Sequence, residues 1–368
     1  MDRRTLLSSA AAIGAAALVG CSRSDDDAPR PTPSTPAATG PAGDATDDSW
    51  TDLEVADTVA TGLNVPWGIA FLADGAALVA QRDDASVVRI GADGGVDELG
   101  AVPGLTTGGE AGLLGIALDP DDESVLYAYV TTGADNRVVR LSTDGGRLSE
   151  PDPILTGIPV GGRHHGGRLL FAPDGTLFVA TGDAGDGALA QDRASLGGKI
   201  LRITTEGRAA DDNPFDNRTW SYGHRNVEGL AFDADGRLWA SEFGEKTADE
   251  LNLIERGGNY GWPQVEGTGG GDGLVDPLVT WSTDDASPAG LAVARSTAFL
   301  AALQGECVWA VPLEGEKAGK PKRFLTGHGR LRNVVVAPDD SLWVTTSNTD
   351  GRQVPKKGDD RILRVTFS

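Results

Sequence analysis

The stretch RLLFAPDGTLFVATG, Arg168 to Gly182, holds an apolar run, an Asp-Gly turn and a second apolar run. The same phrase recurs as WGIAFLADGAALVAQ from Trp67, LLGIALDPDDESVLYAYV from Leu113, GLAFDADGRLWASE from Gly229 and NVVVAPDDSLWVTT from Asn333. A degenerate copy, GLAVARSTAFLAAL, starts at Gly290. Strand-length runs joined by turn residues read as β-hairpins. Six such hairpins, at roughly fifty residues each, match the spacing of four-stranded propeller blades. A pair of stacked β-sandwiches is the alternative, and even spacing around one phrase favours radial repetition. The expectation is an all-β fold, a six-bladed β-propeller of four-stranded antiparallel sheets over residues 50–368. The segments Leu53–Val59 and Ile362–Phe367 both alternate like strands. Pairing them in one blade would remove the open edge and lock the ring.

Composition agrees with a large folded core. The chain has 368 residues, 39% hydrophobic and 23% charged, with 51 glycines. Its formal charge is -22, and almost all of that charge falls after Ser49. Nucleic acid is excluded as a partner, because binding its backbone requires a basic surface stripe. One methionine and four histidines argue against a Met-lined groove or a histidine-rich metal site. Two cysteines, Cys21 and Cys307, provide no disulfide framework.

The first fifty residues carry an address. Arg3 and Arg4 precede an Ala/Leu-rich run from Leu6 to Val19, too short to span a bilayer and long enough for a signal peptide. Leu18-Val19-Gly20-Cys21 resembles a bacterial lipoprotein cleavage site, with residues 1–20 removed and Cys21 acylated. The paired arginines point to twin-arginine export; a Sec signal with a chance cysteine is the alternative. Residues 21–49, rich in Pro, Ala, Thr and Asp, read as a solvated tether. The expected location is therefore the outer face of the cytoplasmic membrane, reached only through the lipid at Cys21.

In an antiparallel hairpin, whatever precedes the first strand and whatever follows the second return to one rim. Counting nine residues back from the turn aspartates Asp174, Asp235 and Asp339 reaches His165, Asn226 and Arg330. Glu110, Arg225 and Arg332 fall within two positions of that register, and Asp183, Asp186 and 244–250 follow second strands. A polar ring at a channel mouth suits a ligand. Arg330 and Arg332, two apart, point the same way in an extended chain and suit carboxylates or phosphates; surface ion pairing to nearby aspartates is the alternative. His165 has the residue type of a general base near neutral pH, or it caps a strand. The loop Gly244-Glu245-Lys246-Thr247-Ala248-Asp249-Glu250 offers carbonyls and carboxylates to a hard cation such as calcium, although acidic loops are commonly just solvated.

Taken together, HHGGRLLFAPDGTLFVATGDAGD, SLGGKILRI, NPF, YGHRNVEGLAF, DELNLIERGGNYGWP and GRLRNVVVAPDD resemble the soluble quinoprotein aldose sugar dehydrogenases, the glucose/sorbosone dehydrogenase family. The match runs in order from about Pro66 to the C-terminus. The resemblance implies pyrroloquinoline quinone (PQQ) and Ca2+ at the channel mouth, and oxidation of the C1 hydroxyl of an aldose to a lactone. Electrons would then pass to an external acceptor that the sequence does not identify. It implies His165 as the base, Arg225 facing the reacting quinone carbonyl, Asn226 on the adjacent oxygen, and Arg330 with Arg332 on the cofactor carboxylates. Asp183 and Glu110 would orient base and sugar, and Trp281 would contact cofactor or substrate. The carbonyls of Gly244 and Glu245 would bind the cofactor calcium, and Glu250 with the Tyr260 carbonyl a second, structural one. Gln304 stands where glucose-oxidising members carry a lysine, which would weaken cofactor binding. Glu110 replaces a glutamine of some members, Glu245 a proline, and His164 an acidic residue. Two other readings stand beside this one: a calcium-dependent propeller lactonase, which needs side-chain carboxylates at the axis, and a non-catalytic propeller binding glycans or protein.

Overall fold

The computed structural model describes residues 50–368. The expected leader, the expected acylation at Cys21 and the expected tether all fall outside the described residues. Six antiparallel sheets form the architecture, with inner strands Pro66–Phe71, Leu113–Leu118, Gly166–Phe171, Val227–Phe232, Pro288–Ala294 and Leu331–Val336. Each inner strand packs on the next, and Pro66–Phe71 packs on Leu331–Val336, so the ring closes. Within a blade the strands run outward in chain order, as in Pro66–Phe71, Ala77–Gln81, Ser86–Ile90 and Val96–Ala101. The last blade is completed by the first strand: Leu53–Thr61 pairs with Arg361–Phe367, Leu53 opposite Phe367 and Thr61 opposite Arg361. That is the expected lock.

The degenerate hairpin is real. Pro288–Ala294 and Thr297–Ala302 are joined by Arg295 and Ser296 at φ 48° and 50°, the left-handed pair of a tight two-residue turn. Its blade carries one addition to the four-strand plan, a short strand Lys317–Ala318 that extends Cys307–Glu314.

Burial follows radial position. Every residue of Ala77–Gln81, Leu177–Thr181 and Leu342–Thr346 is buried, since neighbouring blades cover both faces. The outermost Val96–Ala101 is mostly exposed. Apolar clusters fill the seams between blades; one joins Phe178, Ala180, Val227, Leu230 and Ala240. Trp50 closes another against Phe299, Phe324 and Phe367, with ring centroids 5.4, 5.3 and 5.8 Å away.

One recurring device sets the channel wall. All six inner strands shift register just after their start. A β-bulge bends its strand and re-aims a side chain. The residue at the bulge is Trp67, Leu114, Gly167, Glu228, Ala289 or Arg332, depending on the blade. The residue after it is glycine in four blades, and the reason is steric. A Cβ on Gly68, Gly115, Gly229 or Gly290 would fall between 2.1 and 2.7 Å from the backbone of the next inner strand.

Candidate functional site

A cavity of about 180 Å³ opens at the rim where the inner strands begin. Five arginines line it (Arg82, Arg225, Arg330, Arg332 and Arg352) against three carboxylates (Glu110, Glu228 and Asp350). In a chain of net charge -22 this local excess of positive charge marks an anion site. Two grooves of about 290 Å³ lie elsewhere, one beside Trp50 and Phe324 and one over Phe178, Trp220 and Phe232. Neither gathers charged groups as this pit does.

The arginine pair behaves as its spacing predicts. Arg330 and Arg332 both line the pit, and both are buried. Their partners are internal: Arg330 Nε donates to Asp350 at 2.8 Å, Arg332 Nε to Ser347 Oγ at 3.1 Å and Arg332 Nη1 to Glu228 at 3.0 Å. Surface ion pairing is therefore not their role. Asn226, Gln304, Glu110 and Gly244 line the same pit.

Arg225 is held from behind. Its backbone N–H donates to Glu242, whose other oxygen meets His224 Nδ1 at 2.8 Å, and His224 Nε2 meets Ser221 Oγ at 2.8 Å. His224 is fully buried and stacks on Tyr260 at 4.5 Å. Arg225 Nη1 donates to the Phe243 carbonyl at 3.2 Å, while its buried Nε has no partner. A buried guanidinium N–H without an acceptor is costly unless a ligand supplies one.

The histidine pair corrects the register argument. His164, not His165, lines the pit. His164 takes φ 59°, a left-handed backbone that is uncommon for a non-glycine residue and clusters at functional sites. Counting back along an extended strand does not survive that twist. His164 Nδ1 lies 2.6 Å from Asp183 Oδ1, and its N–H donates to Glu110 at 2.6 Å. Asp183 also accepts from Gly185 N–H at 2.7 Å and Trp262 Nε1 at 2.8 Å. Burial raises the Asp183 pKa, but the His164 contact and these donors outweigh it and hold the carboxyl below its usual range. An ionised Asp183 keeps the imidazole proton on Nδ1 and leaves Nε2 as the free ring nitrogen. Asp183 thus stands behind the histidine rather than in the pit. His165 Nδ1 is tied to Asn136 Oδ1 at 3.0 Å, its carbonyl accepts from Tyr129 OH at 2.8 Å, and burial lowers its pKa. It is a seam residue.

Trp281 is a second correction. It ends the outermost strand of its blade, buried 5.9 Å from Trp309 and away from the pit. Phe243 lines the pit, while Trp262 bonds Asp183 and lies 5.5 Å from the Arg225 guanidinium. Sequence reasoning also passed over Arg82, Glu228, Asp350 and Arg352. Arg82 directly follows a second strand and Asp350 stands four residues beyond one, so the rim rule itself was the signal for both.

The acidic loop is organised by a residue outside it. One oxygen of Glu266 accepts the N–H groups of Glu245, Lys246, Thr247 and Ala248 at 2.6, 2.8, 2.9 and 3.1 Å. Burial works against ionisation of Glu266, yet these backbone donors pull its pKa down to about 2. Among the described residues the Gly244 and Glu245 carbonyls accept no hydrogen bond. Below the loop, a recess of about 10 Å³ gathers Glu242, Glu250, Glu266 and Tyr260. Burial raises the Glu250 pKa, and Glu242 beside it adds to the rise. A cation there would relieve both effects. Among the described residues no set of three His, Cys, Asp or Glu side chains converges on a metal position.

Residues 63–357 match the glucose/sorbosone dehydrogenase family. The chain belongs to that family. Among solved structures, this family member is similar to a PQQ-bound aldose sugar dehydrogenase from Streptomyces coelicolor, with 52% identity and TM-score 0.84, covering 86% of this chain and 98% of that one. A putative glucose dehydrogenase from Thermus thermophilus is 43% identical with TM-score 0.81, covering 85% and 100%. The aldose sugar dehydrogenase YliI of Escherichia coli is 31% identical over 78% of this chain and 89% of its own.

Proposed function

We propose that this family member is a PQQ- and calcium-dependent quinoprotein that oxidises the C1 hydroxyl of aldose sugars to lactones. The observation that carries the reading is the pit itself, where an arginine-rich wall faces a His164–Asp183 pair. PQQ is a tricarboxylate ortho-quinone, and the residues present fit it. Arg330, Arg332 and Arg82 suit its carboxylates, while the unpartnered Nε of Arg225 and the Asn226 amide suit its quinone oxygens. The free carbonyls of Gly244 and Glu245 suit its calcium, and Glu250 with Tyr260 a second one. Gln304 adds a neutral contact. When bound, the quinone supplies the two-electron acceptor and calcium polarises it.

The protein supplies the rest. His164 Nε2 accepts the C1 hydroxyl proton as the C1 hydrogen leaves with its electron pair, and Asp183 stabilises the imidazolium. Arg225 stabilises the negative charge that develops opposite. Glu110, bonded to the His164 N–H, sits where it can meet the sugar. An external acceptor then removes the electrons. We also propose that the protein works outside the cytoplasmic membrane, anchored by lipid at Cys21, from the residues of the leader. Cys21→Ala should then release it from the membrane fraction.

The test is to add PQQ and CaCl2 to purified protein and follow aldose-dependent reduction of an artificial acceptor together with lactone formation. Failure with every aldose tried would sink the proposal.

A further inference from the structure

The bulge residues of the fourth and sixth blades, Glu228 and Arg332, occupy equivalent positions with the small Ala289 between them in the ring. This lets the two side chains meet at 3.0 Å in the channel wall. Glu228 Oε1 also accepts from Asn226 Nδ2 at 3.2 Å, and its carbonyl accepts from Arg168 Nε at 2.8 Å. Arg168 is itself buried and lies over Trp67 at 4.3 Å. One carboxylate thus touches two side chains that face the pit, and it lines the pit itself. It stands in a buried setting where charge is weakly screened. Its pKa is raised overall by burial, with Glu110 adding to the rise, while Arg332 and Arg168 oppose it.

We propose that Glu228 is a positioning and field-setting residue. It aims Arg332 and Asn226 into the pit, and its charge cancels part of the positive field there, which limits affinity for an anionic cofactor and holds the bound quinone at a lower reduction potential. The inference rests on the reading of the pit as a PQQ site. Its sign follows from electrostatics: a fixed negative charge beside a group opposes both the binding of carboxylates and the gain of electrons.

The experiment uses the full chain freed of cofactor, with CaCl2 present. PQQ is titrated in while the protein fluorescence is followed, and the bound cofactor is then titrated spectroelectrochemically. Glu228→Gln, which keeps hydrogen-bonding capacity without the charge, should bind PQQ at least threefold more tightly than wild type and raise its midpoint potential. Glu228→Asp keeps the charge and should retain the wild-type potential. If the glutamine variant does not fold, Glu228→Ala takes its place with the same expected direction for the potential. A purely structural role predicts the reverse in affinity, so weaker or unchanged binding by Glu228→Gln, or an unmoved or lower potential in the charge-free variant, overturns the inference. Wild type that binds no PQQ would instead overturn the reading of the site, and this inference with it.

Discussion

The two ends of the inner hairpins obey different rules. At the turn end five of the six blades repeat one chemistry, the exception being the Arg295–Ser296 turn. Asp74, Asp122, Asp174 and Asp339 each accept the N–H two residues on, at 2.9, 3.0, 3.0 and 3.1 Å, and Asp233 does the same at 3.0 Å. At the rim end no two blades agree: equivalent bulge positions carry Trp67, Leu114, Gly167, Glu228, Ala289 and Arg332. Turns are local problems with one good solution, the Asx turn. A pit for one asymmetric ligand needs a different group from each direction, so repetition there would defeat it.

Substitutions at the rim should therefore cost function, and substitutions at the turns only stability. The largest effect is expected at the histidine pair. With PQQ saturating, His164→Ala should lower kcat by about 10²–10⁴-fold, the range for loss of a general base. His165→Ala should leave kcat within a few-fold of wild type and lower the unfolding temperature, because it strips Asn136 and Thr131 of a buried partner. Steady-state kinetics beside thermal melts reads both, and the opposite pattern would restore His165 as the base.

Next comes the arginine wall. Arg330→Ala should weaken PQQ binding by roughly 10- to 100-fold, the worth of a charge-assisted contact, as read by titrating the apo protein. Equal affinity would remove Arg330 from the cofactor site.

Glu266 gives a smaller effect with a pH signature. Glu266→Gln should loosen the 244–248 loop and weaken calcium binding by about tenfold, measured by calcium titration in the presence of PQQ. Its folded carboxyl titrates at about 2, below the ordinary 4.5. A depressed acid pKa stabilises the fold above the ordinary value, and that stability is lost as pH falls from there towards 2. The variant's unfolding free energy should accordingly vary less steeply with pH across that window.

The smallest effect belongs to the turns. Asp174→Ala removes the Asx turn and its contacts to Thr176 and Arg202. It should cost about 1 kcal/mol in chemical denaturation and leave kcat/KM unchanged. A loss of turnover would mean that the two ends of the hairpin are coupled.

How far the site was legible follows from the same contrast. Arg225, Asn226, Arg330, Arg332 and Glu110 were found because strand register is periodic and carries position as well as burial; Gln304 came only from the family resemblance. His165 was preferred to His164 because counting assumes an extended chain, and one left-handed residue turned the other imidazole into the pit. Trp281 came only from the family resemblance, and no repeated phrase follows a third strand that could have placed it independently. Glu228 was passed over because its partner Arg332 lies 104 residues away.

The sequence by itself determined the blade count, the hairpins, the closing pair and the rim at which chemistry gathers, since each depends on near-neighbour periodicity and turn chemistry. Only the tertiary structure decided which histidine meets Asp183, which tryptophan stands behind it, and which carboxylate balances Arg332. The last two are contacts between blades, and the first turns on one left-handed residue within a blade; none of them follows from the near-neighbour pattern of the chain.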